Sequence, residues 1–432
     1  MSNNQHADEV PQLVDHLFRH QAGQVIATLT RMFGPQQIDL AEDVLQETLI
    51  KALRQWPYRG VPENPAAWII RVAKNHALDI LRRERSLRGK HDTLAGLPEH
   101  QPIDSQTPAE VLDSQLRDDQ LRLMFTCCHP AIGREAQVAL TLRTLGGFGV
   151  AELARAFLVP EGTIAQRLVR AKRTIRQHNI PFEVPDANEL PIRLESVLDV
   201  LYLLFNEGYS ACQGEDLVRH DLCAEAIRLT ALLASHSVAD LPKVHALFAL
   251  MLLQASRLPA RTDAAGDMLL LEDQDRLLWD GRMIALGLRE LDRSARGEEL
   301  SVYHLQAGIA ACHAVAPSYA ATDWPHILDQ YDVLVAISDS PVVRLNRAVA
   351  LAMVEGPRAG MAELDHLGTL PAMQTYYLFH ATRAALLRQI GDFHGALAGY
   401  QHALTLAITE PERRFLLRRI DEYSQTQRAP QF

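Results

Sequence analysis

Apolar residues recur along this chain at intervals of three and four almost from end to end, and no sustained two-residue alternation bounded by hairpin turns interrupts them. Such intervals wind onto one face of an α-helix, so the pattern predicts an all-α fold. A first helical block spans 10–85. Gly89, Gly96, Pro98, Pro102 and Pro108 break the pattern over 86–108, which reads as a linker, and a second block follows over 109–180. Three prolines in 180–191 mark a further break. Beyond them, over 192–432, helical segments are expected at 194–205, 221–234, 243–257, 272–291, 301–315, 325–337, 342–354, 375–390 and 393–408. The short gaps between them favour antiparallel helix pairs.

The end of the second block carries the sharpest local signal. Over 150–157, Val150, Leu153, Ala154 and Phe157 share one face and leave Glu152 and Arg155 outside; Pro160 and Gly162 mark a turn. Next, Ile164, Leu168, Ala171 and Ile175 form a buried stripe, with Gln166, Val169, Arg170 and Arg173 opposite. Two short helices around a tight turn, the second rich in arginine, describe a helix-turn-helix whose outer face suits a major groove. Gln pairs with adenine, Arg with guanine or phosphate, and Val with a thymine methyl. The same pattern also fits a helical hairpin with a solvated arginine face.

In the first block, Asp39 and Glu42 have the spacing of a capping box, and the helix they open is expected to run to Trp56 and stop at Pro57. Ala41, Val44, Leu45, Thr48 and Ala52 face inward, while Asp39, Asp43, Gln46, Glu47 and Ile50 gather outside. Carboxylates there would repel phosphate, so that face suits a protein partner or plain solvent. Asn64 and Pro65 then look like a cap and first position of another helix. Trp68, Ile69 and Val72 supply core; Arg71, Lys74, Arg82, Arg83, Arg85, Arg88 and Lys90 supply charge fit for phosphate.

Net charge is −10, an odd value for a nucleic-acid binder until it is divided. Residues 1–180 hold 22 basic against 20 acidic side chains, or +2, and residues 181–432 hold 21 against 33, or −12. The acidity belongs to the C-terminal half. At 432 residues the chain exceeds a single core and implies two or three domains. Cys127, Cys128, Cys212, Cys223 and Cys312 are odd in number and scattered, which suits a reduced cytoplasmic setting; no signal layout or membrane-length apolar run is visible.

Taken in order, AEDVLQETLIKALRQWP, PAAWIIRVAKNHALDILRRE, a linker and the helix-turn-helix resemble an extracytoplasmic-function sigma factor of the sigma-70 family. The resemblance covers about 170 residues and implies sigma region 2 over 10–85 and region 4 over 109–180. It implies core RNA polymerase as a partner, through the β′ clamp helices and β flap, and promoter DNA as the other. Asp39, Asp43, Gln46 and Glu47 match the polymerase-docking surface. Asn75, His76, Asp79, Arg82 and Arg83 match the loop and helix that capture a flipped −10 base. Gln166, Arg167, Val169, Arg170 and Arg173 would read the −35 element. Ala165 and Gln166 depart from the basic residue and serine that many relatives carry there, so the −35 sequence is not inherited from them.

The segment 390–406, with Gly391, Ala396, Tyr400 and Ala403, looks like a tetratricopeptide repeat, and 344–367, with Ala348, Gly356 and Leu364, like a looser copy. The repeat character covers about 342–410. As a whole the chain resembles the sigma-factor subgroup with a long tetratricopeptide-like extension, with FNEGYSA (205–211), DLCAEAIRL (221–229) and LEDQDRLLWD (271–280) as its signatures. Such an extension implies a regulatory domain and a protein partner. Glu272, Asp273, Asp275 and Asp280 around Trp279 bring no nucleophile or metal spacing and read as the rim of a buried Trp. Adjacent Cys127 and Cys128 lack the usual two-residue ligand gap, so neither metal nor cofactor is expected, and no enzymatic chemistry. The alternatives are a free-standing helix-turn-helix regulator that senses a ligand or protein through the repeats, and an enzyme within 192–432.

Overall fold

The computed structural model describes residues 21–88, 109–157, 159–209 and 218–426. Among them the chain is helical, with short 3-10 turns and one isolated bridge between Thr262 and Met268. The all-α expectation holds. Two compact units divide at Leu203 and Leu204.

The first unit contains α1 (21–33), α2 (Ile38–Arg59), α3 (Pro65–Arg88), α4 (Ala109–Cys127), α5 (Arg134–Thr144), α6 (Val150–Phe157) and α7 (Glu161–Gln177), and the division falls within α8 (Leu190–Tyr209). Ala22, Val25, Ile26, Ala27 and Leu29 of α1 are all buried. At Gly23 an added Cβ would lie 2.5 Å from the Leu145 carbonyl oxygen, so α1 meets the end of α5 at backbone distance. Arg193 of α8 buries its guanidinium and donates to the Phe125 carbonyl at 2.9 Å, which ties the start of α8 to α4.

Helix ends follow local chemistry. Asn64 accepts from the Ala67 N–H at 3.0 Å and Pro65 opens α3, as the sequence indicates. At the end of α7, Asn179 is left-handed (φ 47°); the Ile180 N–H reaches the Ile175 carbonyl and that of Asn179 the Arg176 carbonyl. That is a Schellman motif, and the buried Ile175 and Ile180 supply its apolar contact.

Two expectations for α2 need correction. The helix does not stop at Pro57 but carries it in its last turn and runs to Arg59, ending at Gly60 (φ 80°), whose N–H returns to the Trp56 carbonyl. Proline costs one helical bond there, to the carbonyl of Leu53, a partly exposed residue within reach of water. Nor do Asp39 and Glu42 form a capping box: the preceding 3-10 turn, Pro35–Gln37, feeds α2 directly, Asp39 lies inside the first turn and Glu42 is buried.

The second unit holds α9 (His220–Ala234), α10 (Pro242–Ala255), α11 (Gly281–Ser294), α12 (Val302–Val315), α13 (Trp324–Ile337), α14 (Pro341–Glu355), α15 (Pro357–Leu367), α16 (Pro371–Gln374), α17 (Tyr377–Ile390), α18 (Phe393–Leu406) and α19 (Glu410–Thr426). Helix α10 is buried on nearly every side. Segment 272–291 is only half helical, because 3-10 turns at Leu271–Asp273 and Arg276–Leu278 precede α11. Farther on, α14 pairs with α15 around Ala348, Ala352 and Leu364, and α17 pairs with α18 around Ala384, Ala396, Tyr400 and Ala403. Gly356 and Gly391, both at φ 95°, turn the chain within each pair. Small residues set the helix spacing: a Cβ at Gly360 would stand 2.7 Å from both the Ala348 carbonyl oxygen and the Ala352 Cβ. Gly360→Val is therefore expected to destabilise the second unit by about 1–3 kcal/mol. Thermal unfolding should show a drop of about 2–4 °C for each kcal/mol. Gly281→Ala, with no atom within 4 Å of the added carbon, should leave the transition in place.

Candidate nucleic-acid interface

Helix α6 starts where Glu152 reaches back to accept from the Gly149 N–H at 2.7 Å, and α7 starts after Pro160. Ile164, Leu168, Ala171 and Ile175 are buried. With that stripe fixed, a 3.6-residue period turns Gln166, Val169, Arg170 and Arg173 outward together, and all four are exposed. Exposure of an apolar side chain in the middle of this face, 62% for Val169, suits a thymine methyl better than water. Arg167 behaves differently. It lies on the flank, only 19% exposed, and pairs with Glu135 of α5 at 2.6 Å.

On α3, Asn75, Asp79, Arg82 and Arg83 are exposed along one face, continued by Arg71 one turn earlier. Asp79 pairs loosely with Arg82 at 3.6 Å. His76 stands at the edge of that face, 3.3 Å from Glu47 of α2. Lys74 does not join the cationic face. It is half-buried, and burial, with Arg31 beside it, lowers its pKa against the pull of Asp119. Asp119 is itself buried and ion-paired with Arg31 at 3.1 Å, and burial pushes its carboxyl up to about 6.

Asp43, Gln46 and Glu47 are exposed on α2. Beside them Ile50 and Leu53 are 47% and 40% exposed, and Glu47, Ile50, Lys51, Arg54 and Gln55 line a shallow hollow. Acidic and apolar side chains thus share this face of α2, unlike the polar and cationic face of α7.

Asp39, grouped with these residues by sequence, is engaged elsewhere. It accepts from Lys172 Nζ at 2.7 Å and Arg176 Nη1 at 3.0 Å, both on α7. Lys172 also lies 3.1 Å from Glu42, which Arg143 of α5 approaches at 3.4 Å. Burial pushes the Asp39 carboxyl up, but the hydrogen bonds and charges of Lys172 and Arg176 outweigh it and hold it below the ordinary carboxylate range. Sequence reasoning missed Lys172, Arg176, Glu42 and Arg143. Lys172 and Arg176, four residues apart on one flank of the arginine-rich helix, are the one legible signal.

Residues 17–87 match the family described as Sigma-70 region 2, and residues 122–175 match Sigma-70, region 4. The ECF RNA polymerase sigma-E factor of Haemophilus influenzae is 31% identical over 158 residues, 35% of this chain and 79% of that protein. This chain belongs to the extracytoplasmic-function sigma factors. A second such relative, the ECF RNA polymerase sigma factor SigL of Mycobacterium tuberculosis, is 32% identical over 139 residues, 32% of this chain and 72% of that one. Over nearly its whole length the sigma factor resembles an uncharacterized protein of Rhizobium meliloti, 41% identical over 400 residues, 92% of this chain and 93% of the relative. Residues 193–295 match a family of unknown function, DUF6596. No solved structure matches the chain.

Among the described residues of this sigma factor, the adjacent cysteines and the LEDQDRLLWD segment serve packing and capping. Cys127 and Cys128 are buried against Thr144 and Thr141, with sulfur to hydroxyl distances of 3.3 and 3.5 Å. In the LEDQDRLLWD segment, Trp279 is buried under Arg276, 4.5 Å from its ring, while Asp275 and Asp280 accept backbone N–H groups and cap the next turn and α11. No group of three potential metal ligands occurs among the described residues, and no helix there is long and apolar enough to cross a membrane. Cys212 and Lys90 lie outside the described residues, as does nearly all of the 86–108 segment. Burial raises the Cys127 thiol strongly and pushes Cys128 and Cys223 up to about 12. Iodoacetamide at pH 8 should leave these three unmodified in the native protein and label them after denaturation. Labelling of Cys127 or Cys128 in the folded chain would point to a thiolate that this packing does not allow.

Proposed function

We propose that this sigma factor binds core RNA polymerase, recognises −35 and −10 promoter elements and promotes initiation, with region 2 over 10–85 and region 4 over 109–180. One observation carries the reading: chemically opposite faces stand on two helices of one unit. Helix α2 presents Asp43, Gln46 and Glu47 with exposed Ile50 and Leu53, and α7 presents Gln166, Val169, Arg170 and Arg173. A free-standing DNA-binding regulator has use for the second face and none for the first. The β′ clamp helices are the proposed seat of the α2 face, and the β flap a further contact for region 4. Asn75, His76, Asp79, Arg82 and Arg83 are assigned to the −10 element; unstacking a base costs a few kcal/mol, which contacts to the captured base must return. This function involves no cofactor and no covalent step.

Asp43→Lys combined with Glu47→Lys should weaken binding to core polymerase about tenfold, near 1.4 kcal/mol, with the helical circular dichroism signal unchanged. Undiminished copurification of a folded double variant would remove α2 from the docking surface. On duplex DNA bearing the −35 element, Gln166→Ala or Arg170→Ala should each cost about 1–3 kcal/mol, varying with the base opposite. Arg167→Ala should cost less, because Glu135 already holds that guanidinium. Asn75→Ala should spare duplex binding and impair strand opening; normal permanganate reactivity at the −10 region would refute the base-capture assignment.

Residues 192–432 are proposed to regulate this activity toward the sigma regions and a protein partner. Their acidity, tethered in one chain to the proposed basic DNA-binding surfaces, supports either masking or bracing. Truncation after Tyr209 keeps α8, whose Arg193 is packed into the first unit. Masking gives higher promoter-specific transcription on truncation, most of all at low salt, and bracing gives a loss. Equal activity at every salt concentration would deny the extension a regulatory role.

A further inference from the structure

Asp39, Glu42, Arg143, Lys172 and Arg176 form one connected cluster across 137 positions of sequence, with α2 on one side and α5 and α7 on the other. Its inner members are sheltered: Lys172, Glu42 and Arg143 are 11%, 10% and 15% exposed, whereas Asp39 and Arg176 at the rim are about half exposed. The turn Pro35–Gln37 packs on α7 beside it, and Gly23 presses α1 against Leu145. We propose that this cluster is a clasp that holds the free sigma factor closed, region 4 folded back on region 2, and that the clasp must open before the protein can serve a promoter.

The inference rests on the sigma-factor reading for its consequence but not for its geometry. Elements 25 base pairs apart by their names are separated by about 85 Å of duplex at 3.4 Å per pair. Two regions whose side chains touch at 2.7 Å cannot sit on both at once. The 20 residues between Arg88 and Ala109 can span up to about 70 Å, so the chain permits separation without unfolding either region. Charged groups suit a reversible contact, since each regains water when the two faces part. The clasp also takes Asp39 out of the docking surface: while Lys172 and Arg176 hold its carboxylate, a polymerase cation cannot. Lys172 and Arg176 thereby differ from Arg170 and Arg173, which point away from the contact and remain free for DNA.

The test uses the full chain with Lys172 and Arg176 replaced by alanine, neither being among the residues assigned to DNA or polymerase. Fluorophores at the exposed positions Tyr58 and Gln177, introduced as encoded clickable residues, report the distance between regions. The expected result is lower transfer efficiency in Lys172→Ala/Arg176→Ala than in the parent, with the parent approaching the variant as salt is raised. Core polymerase should bind the variant about 3- to 10-fold more tightly, because a larger fraction of the chain is already open. Unchanged transfer efficiency at every salt concentration would overturn the clasp. Gly23→Leu, which wedges α1 from Leu145 by bulk rather than charge, establishes that the fluorophore pair can see opening. Lower transfer with unchanged polymerase affinity would overturn the masking of Asp39. If neither chain bound polymerase while transfer still fell, the sigma-factor reading would fail and the clasp would stand.

Discussion

Four buried side chains on one helix, Ile164, Leu168, Ala171 and Ile175, fix what the first unit can do. Once that stripe is in the core, α7 has no rotational freedom left, and every polar residue on it acquires a direction. Gln166, Val169, Arg170 and Arg173 are turned to solvent, Arg167 is turned to Glu135, and Lys172 and Arg176 are turned to α2. Five cationic side chains that composition treats alike thus divide into three groups, and only one group is available to a duplex.

The same reasoning marks where sequence was informative. Periodicity placed the α7 stripe and its outer face, and it placed Ala41, Val44, Leu45, Thr48 and Ala52 of α2 in the core, because burial on a helix depends on spacing alone. It failed where the deciding partner was distant. Glu42 has the spacing of a capping residue after Asp39, yet its carboxylate is buried beside Arg143 and Lys172, about 100 and 130 residues away. Lys74 and Arg167 look like free cations until Asp119 and Glu135 are in place. Pro57 is a helix breaker in general, but in a last turn it removes a single bond. Helices with a short or sparse apolar stripe were the other weakness. Pro357–Leu367 was legible only as part of a repeat, and Glu410–Thr426, polar over most of its length, carries too little apolar period to announce itself.

Charge in the C-terminal half needs a similar correction between count and field. Its surplus of acidic residues is spent in part on local structure: Asp280, Asp323 and Asp392 each cap a helix through backbone N–H groups. Others are paired. Asp263 and Asp267 meet Arg414 and Arg418, Asp332 and Glu363 meet Arg347, and Asp240 and Glu290 bracket the buried ring of His245 at 2.7 and 2.6 Å. Ion pairs cancel charges that the net value of −12 for residues 181–432 already counts, so pairing settles where the surplus sits and does not reduce it. The unmatched carboxylates carry the field, and salt screens that field beyond about 8 Å. Screening favours a regulatory contact made by shape and a few specific pairs, as the α2–α7 contact is, over one made by bulk charge.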